Sequence, residues 1–298
     1  MATSQAIAHP RSAQATVALR DYLTLTKPEV NLLILMTTSA GYYLASRGPF
    51  HFAGLIHTLI GTLLVASGTA TLNQWMERNW DGQMRRTANR PLPSGKISPV
   101  QALLFGLALS VVGGIYLAFA VNLLSAFLAT STLLSYLLIY TPLKRTTPLC
   151  TLLGAFPGAM PTLIGWAGAA GKIDGQAWFL FAILFLWQFP HFLAIALMYR
   201  EDYSRAGYKM LPDFDADSRF TRAEILGFTI VLIVATMLPV ANRVGVVYWA
   251  SMSLAGAFMM YHVIRLVASA SRLRASQVLH ASVLYLPVVL GLMVAWKK

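Results

Sequence analysis

Charge is the scarcest commodity in this chain. Asp, Glu, Lys and Arg together make 11% of its 298 residues, against roughly 25% in soluble domains. A water-soluble surface cannot be built from so few charges, so an ordinary globular domain is excluded. Cysteine is nearly absent. Cys150 stands alone, which rules out an internal disulfide and any cysteine-rich metal site and leaves a small buried packing residue. Acids are few as well, eleven against 23 Lys and Arg, for a net charge of +12. That excess suggests nucleic acid at first, yet the cations are scattered through short connections between apolar runs, so no nucleic-acid partner is expected. The first residues also lack a continuous apolar stretch of the secretory-signal kind. Arg11 and Arg20, with no acid before Asp21, faintly suggest a mitochondrial transit peptide. A disordered bacterial tail over residues 1–24 is the reading adopted, with one transmembrane domain over 25–298.

What the chain has in abundance is apolar sequence, 57% of all residues. A hydrocarbon core about 30 Å thick needs about 20 apolar residues as helix. Runs at 29–46, 52–75, 99–119, 122–140, 150–170, 177–198, 222–242, 245–267 and 279–296 satisfy this. The fold class expected is an all-α, polytopic membrane helical bundle of about nine spans, in contact with membrane lipid. Charge tests the count independently. With a cytoplasmic amino terminus and alternating connections, 18 of the 23 cations fall on the inner side, leaving Arg47, Lys172, Arg243, Lys297 and Lys298 outside. That is the positive-inside pattern. Only Asp174 among the acids falls outside; most of the rest sit in or beside two long inner connections, 76–98 and 199–221. Acids do little to set topology, so this bias points to function.

The first connection carries Asn73, Glu77 and Asp81. If the second span continues as helix beyond the membrane, a four-residue spacing puts them on one stripe, drifting about 40° per step. Three oxygen-bearing side chains suit Mg²⁺, which takes oxygen ligands and keeps water and phosphate beside them. Arg85, Arg86 and Arg90 follow at once, and guanidinium groups pair with phosphate oxygens two at a time. A solvated helix end laced with i,i+4 ion pairs would use similar letters. Asn73 argues against it, since it falls where the apolar run ends and its amide must face the bundle interior. The second connection offers Glu201 and Asp202 as further metal ligands and Arg200, Arg205 and Lys209 as phosphate contacts, with Gly207 and Pro212 as the helix stop. Asp213, Asp215 and Asp217 are taken as solvated loop residues. In the sixth span Pro190 is expected to break the helix, so that Gln188 and His191 line a cavity.

These stretches resemble the UbiA superfamily of intramembrane prenyltransferases, and within it the haem O synthases. The superfamily holds Mg²⁺ and a prenyl diphosphate on aspartate-rich motifs after its second and sixth helices. Residues 73–81 resemble the first motif and 199–202 the second. The runs at 25–30, 84–95, 140–145, 154–166 and 200–212 are similar to the haem-farnesylating branch in particular. The resemblance extends from about residue 22 to the final span. It implies a Mg²⁺-dependent transfer of farnesyl from farnesyl diphosphate to a vinyl group of haem B, with addition of water, in the bacterial cytoplasmic membrane (the mitochondrial inner membrane being the alternative). It also implies Asn73, Glu77, Asp81 and Asp202 as catalytic carboxylate-motif residues. Arg85, Arg86, Arg90, Lys144, Arg145, Arg200 and Lys209 would meet the diphosphate. His191 would contact the haem iron or its propionates, with His51, His57, His262 and His280 as competitors. Haem A synthase or terminal-oxidase assembly factors would receive the product. Two departures stand out: Glu77 occupies a position that is often aspartate, and Ala206 one where many relatives carry a second aspartate, which implies a lighter metal site. The runner-up is prenylation of an aromatic quinone precursor. A transporter would place its charged site at mid-membrane between inverted repeats, and neither feature is present.

Overall fold

The computed structural model describes residues 19–238 and 245–297, and all regular structure among them is helical. A short α1 (Leu19–Thr26) leads into α2 (Pro28–Ala45), α3 (Phe52–Asp81), α4 (Pro99–Ala120) and α5 (Leu123–Ser135). The last continues through one widened turn, Tyr136–Tyr140, into the three-residue α6 (Thr141–Leu143). Then come α7 (Cys150–Ala170), α8 (Gly175–Met198), the short α9 (Arg200–Arg205), α10 (Arg219–Met237), α11 (Val246–Ala268) and α12 (Arg272–Ala295). Among the described residues, eight helices are long and apolar enough to cross a membrane. The remaining expected span is α2, whose apolar character is diluted by Glu29, Asn31, Thr37 and Thr38 and which packs along α7. The chain is therefore a multi-pass membrane helical bundle.

Local chemistry sets most helix ends. Ser98 and Gln101 close a reciprocal capping box under Pro99 at the start of α4. Asn122 accepts from Ser125 N at 2.8 Å and turns the chain sharply from α4 into α5. The other short connection expected, after the seventh span, lies outside the described residues. Asp174 caps α8 through the amides of Gln176 and Ala177, and Gly171, at φ +67°, ends α7 in the left-handed conformation that glycine adopts without strain.

The division expected at residues 24 and 25 lies within α1, and the tail before residue 19 lies outside the described residues. One expectation is corrected. The helix break expected at Pro190 does not occur, for α8 runs unbroken from Gly175 to Met198 with Pro190 buried. A proline costs one backbone bond, and neighbouring helices in a bundle can shelter the freed carbonyl. The real irregularity lies at Pro142, which cannot donate to the helix ladder. Before it the helix widens, and Thr141 N reaches back five residues to Tyr136 O.

The tightest crossing is α2 on α7. A Cβ on Gly165 would run into the carbonyl oxygen of Thr38, and one on Gly41 into that of Thr162. Both obstacles are backbone and cannot rotate away. Gly165→Ala is therefore expected to lower stability by about 1–3 kcal/mol through overpacking. Thermal unfolding in detergent checks this; a midpoint equal to that of the unsubstituted chain would contradict the close approach.

Candidate active site

The α3 helix overruns the membrane span by more than a turn and ends only at Asp81. That extension makes the four-residue spacing real. Asn73, Glu77 and Asp81 are all buried and line one wall of a cavity of about 530 Å³. Each meets a cation, two of them delivered from distant parts of the chain. Lys27 Nζ donates to Asn73 Oδ1 at 3.1 Å, and Lys144 Nζ to Glu77 Oε1 at 2.8 Å. Arg90 Nη1 donates to Asp81 Oδ2 at 2.7 Å. Asp81 Oδ1 is buried without a hydrogen-bond partner among the described residues. A charged oxygen left bare in a low-dielectric site is costly, and it marks the point where a cation would be accepted.

Lys27 was counted among the inner charges but not among the site residues. It precedes Pro28 and carries φ +53°, a left-handed conformation that a non-glycine residue adopts only when its surroundings impose it. Burial, then repulsion by Arg90, brings its ammonium down to about pKa 7. Burial works against charge on Lys144 too, but the Glu77 carboxylate outweighs it and holds that ammonium well above the ordinary lysine range. The Lys144 side chain also rests over the Tyr140 ring, 4.5 Å from its centroid. Tyr140 in turn packs on the bare backbone of Gly154. The widened turn before Pro142 thus aims Tyr136, Tyr140 and Lys144 into one cavity. Asn73 Nδ2 closes the arrangement by donating to Thr141 Oγ1 at 3.1 Å.

The remaining expected residues divide sharply. Arg86 and Arg90 line the cavity. Arg86 is exposed at its mouth, where it donates to the Tyr203 hydroxyl at 3.3 Å and lies over the Tyr199 ring. Asp202 is buried but outside the cavity lining, and accepts from Arg205 Nη1 at 3.3 Å. Glu201 and Arg85 are exposed and outside the lining. Arg145 stacks on Trp80, 4.3 Å from the ring centroid. Arg200 donates to Ala216 O at 3.2 Å and lies 3.9 Å from Asp213. The side chain of Lys209 is also exposed outside the lining, while its backbone amide donates to Lys144 O at 2.7 Å. That bond ties the second long connection to the lysine beside Glu77. Asp215, taken as a loop residue, caps α10 through Thr221 N at 2.7 Å.

Of the competing histidines only His191 lines the cavity. His57 is bonded to Tyr116 at 2.7 Å, His280 to Ser276 O, and His51 precedes α3 at its opposite end. Gln188 lies on the same wall and donates to Ala155 O at 2.9 Å. Pro157 and Pro161 of α7 face it across the lining, consistent with proline being tolerated where a helix borders a cavity. Tyr203 and Tyr208 at the mouth were also missed. Their only signal was membership of the second polar connection.

Comparisons with known proteins identify the family. The UbiA prenyltransferase family model matches residues 34–286. Protoheme IX farnesyltransferase of Solibacter usitatus (strain Ellin6076) is 49% identical over 92% of this chain and 98% of its own length. That of Koribacter versatilis (strain Ellin345) is 41% identical over 97% of each. The fold is shared with a digeranylgeranylglyceryl phosphate synthase structure (TM-score 0.76, 19% identity, 94% of this chain and 98% of that one). It is also shared with a UbiA homolog from Archaeoglobus fulgidus solved with GPP and Mg²⁺ (TM-score 0.63, 15% identity, 92% and 99%). A family match over most of the chain, near-full-length relatives and a common fold lead to one conclusion: the chain belongs to the UbiA prenyltransferase family.

Proposed function

We propose that this protein transfers the farnesyl group of farnesyl diphosphate to a vinyl group of haem B, with addition of water, giving haem O. The observation that carries the reading is the 49% identity to a protoheme IX farnesyltransferase over almost the full length of both chains. The cavity is chemically suited to it. Asn73, Glu77 and Asp81 offer hard oxygen donors, and the unpartnered Asp81 Oδ1 fits a small divalent cation. Mg²⁺ would share its coordination with water and substrate phosphates. When bound, Mg²⁺ supplies Lewis-acid neutralisation of charge growing on the departing diphosphate.

The chain's own residues would do the rest. Lys27, Lys144 and Arg90, already aimed into the cavity, donate to diphosphate oxygens as the C1–O bond breaks with its electron pair leaving on oxygen. Arg86 guards the mouth, and Asp202 with Glu201 belongs to the proposed second motif. The rings of Tyr136 and Tyr140 stand where an allylic cation would be stabilised by aromatic faces. Buried apolar lining from Val65, Ile164 and Leu184 keeps water from capturing the cation early. The vinyl terminus then forms the new C–C bond, water adds to the adjacent carbon, and one proton is lost. Haem is a substrate here, with His191 on its side of the cavity. The charge bias fits a bacterial cytoplasmic membrane with the amino terminus and site facing the cytoplasm; the product would pass to haem A synthase or oxidase-assembly factors.

Expression in bacterial membranes followed by haem extraction and mass analysis tests the reading. A haem heavier by one farnesyl group and one hydroxyl group is expected. Unchanged haem B, with the protein verified and farnesyl diphosphate present, would redirect the assignment to an aromatic quinone precursor.

A further inference from the structure

His191 is held by one hydrogen bond and one ring stack, and the protons around that bond can be counted. Ser282, fully buried on α12, has its Oγ 2.7 Å from Leu279 O and 2.9 Å from His191 Nδ1. A hydroxyl has one proton, and a carbonyl oxygen can only accept. The Ser282 proton therefore goes back to Leu279, a usual habit of serine within helices. What Ser282 Oγ then offers the imidazole is a lone pair, so the proton of the second bond must sit on Nδ1. A neutral imidazole carries one N–H, which leaves Nε2 bare. Trp187 locks the arrangement: its Nε1 donates to Ser282 O at 2.7 Å, and its ring stacks on His191 at 4.5 Å and 25°. Nε2 has no partner among the described residues, while His191 lines the cavity.

A bare Nε2 cannot donate to an anion. Propionate and diphosphate oxygens therefore find no proton there, whereas an iron centre finds a ligand. A histidine whose other nitrogen donates to a fixed neighbour is the usual form of a metal-bound imidazole. We propose that His191 Nε2 is the axial ligand to the iron of the haem substrate, and that Ser282 is the positioning residue that sets its tautomer. The inference rests on haem being the acceptor, as read above. Iron ligation tethers the porphyrin to the α8 wall of the same cavity that Asn73, Glu77 and Asp81 line from α3.

Titration of the full-length protein in detergent with ferric haem B tests both residues without relying on turnover. The readouts are the Soret band, electron paramagnetic resonance and the ferrous–CO spectrum. The unsubstituted protein is expected to bind haem saturably with a histidine-ligated signature. His191→Ala should lose that signature and regain it with added imidazole, and His191→Met, which keeps the bulk, should give a different ligand signature. Ser282→Ala should weaken haem binding about 10-fold or more, as loss of an outer-shell partner does, with Ser282→Thr retaining most of it. Saturable binding with the same spectrum in the unsubstituted protein, His191→Ala and His191→Met would overturn the ligation alone. Undiminished binding in Ser282→Ala would overturn the positioning role. No saturable binding to the unsubstituted protein would overturn the inference together with the haem reading.

Discussion

Asp81→Asn is expected to cut farnesyl transfer by about 10²–10³, the usual cost of removing one preorganised electrostatic group from a dry site. Asp81 is completely buried. One carboxylate oxygen takes Arg90 at 2.7 Å and the other has no partner. Asparagine keeps the volume but loses the charge. Its amide can also present N–H₂ where a cation should be accepted. The fold should survive, because the backbone carbonyl of Asp81 still accepts from Thr87 Oγ1 at 2.7 Å. The measurement is initial rate across a Mg²⁺ series, with the thermal midpoint as a control. A rate within threefold of the unsubstituted enzyme at low Mg²⁺ would remove Asp81 from the proposed metal set. Asp202→Asn should fall less, since that carboxylate rests against Arg205 outside the cavity lining. A larger loss there would make the second motif dominant.

Lys144→Met carries the largest expected stability effect. Glu77 is 5% exposed, and Lys144 is its close ion-pair partner at 2.8 Å. Breaking a buried pair from one side strands a charge and costs about 3–5 kcal/mol. Lys27 also favours the Glu77 charge, which places the expectation at the lower end of that range. The double variant Lys144→Met with Glu77→Gln should recover most of the loss, because no uncompensated charge remains, while transfer stays abolished. Denaturation in detergent of both single variants and the double variant completes the cycle. If Lys144→Met unfolds like the parent, the pair does not hold the site together. If the double variant is no more stable than Lys144→Met, the damage lies in the stem of Lys144 over Tyr140 rather than in the stranded charge.

Much of this was legible locally. Span count rests on apolar length, a property of contiguous sequence. The stripe of Asn73, Glu77 and Asp81 was legible because a helix converts a spacing of four into one face. The second connection was read less well for the same reason. Glu201 and Asp202 are adjacent, so a helix must turn them about 100° apart; one is exposed and the other buried. Pro190 was misread because a break depends on what surrounds the freed carbonyl, not on the proline itself.

By itself the sequence determined a many-spanned membrane protein with its oxygen donors grouped on one face, since hydropathy and helical period act within a few turns. Only the tertiary structure decided which cation meets which oxygen. Lys27 and Asn73 are 46 residues apart, Lys144 and Glu77 67, and His191 and Ser282 91. No local period links such pairs. They meet because α3, α8 and α12 pack at particular rotations, with glycine crossings and the widened turn at Pro142 setting how closely the walls approach.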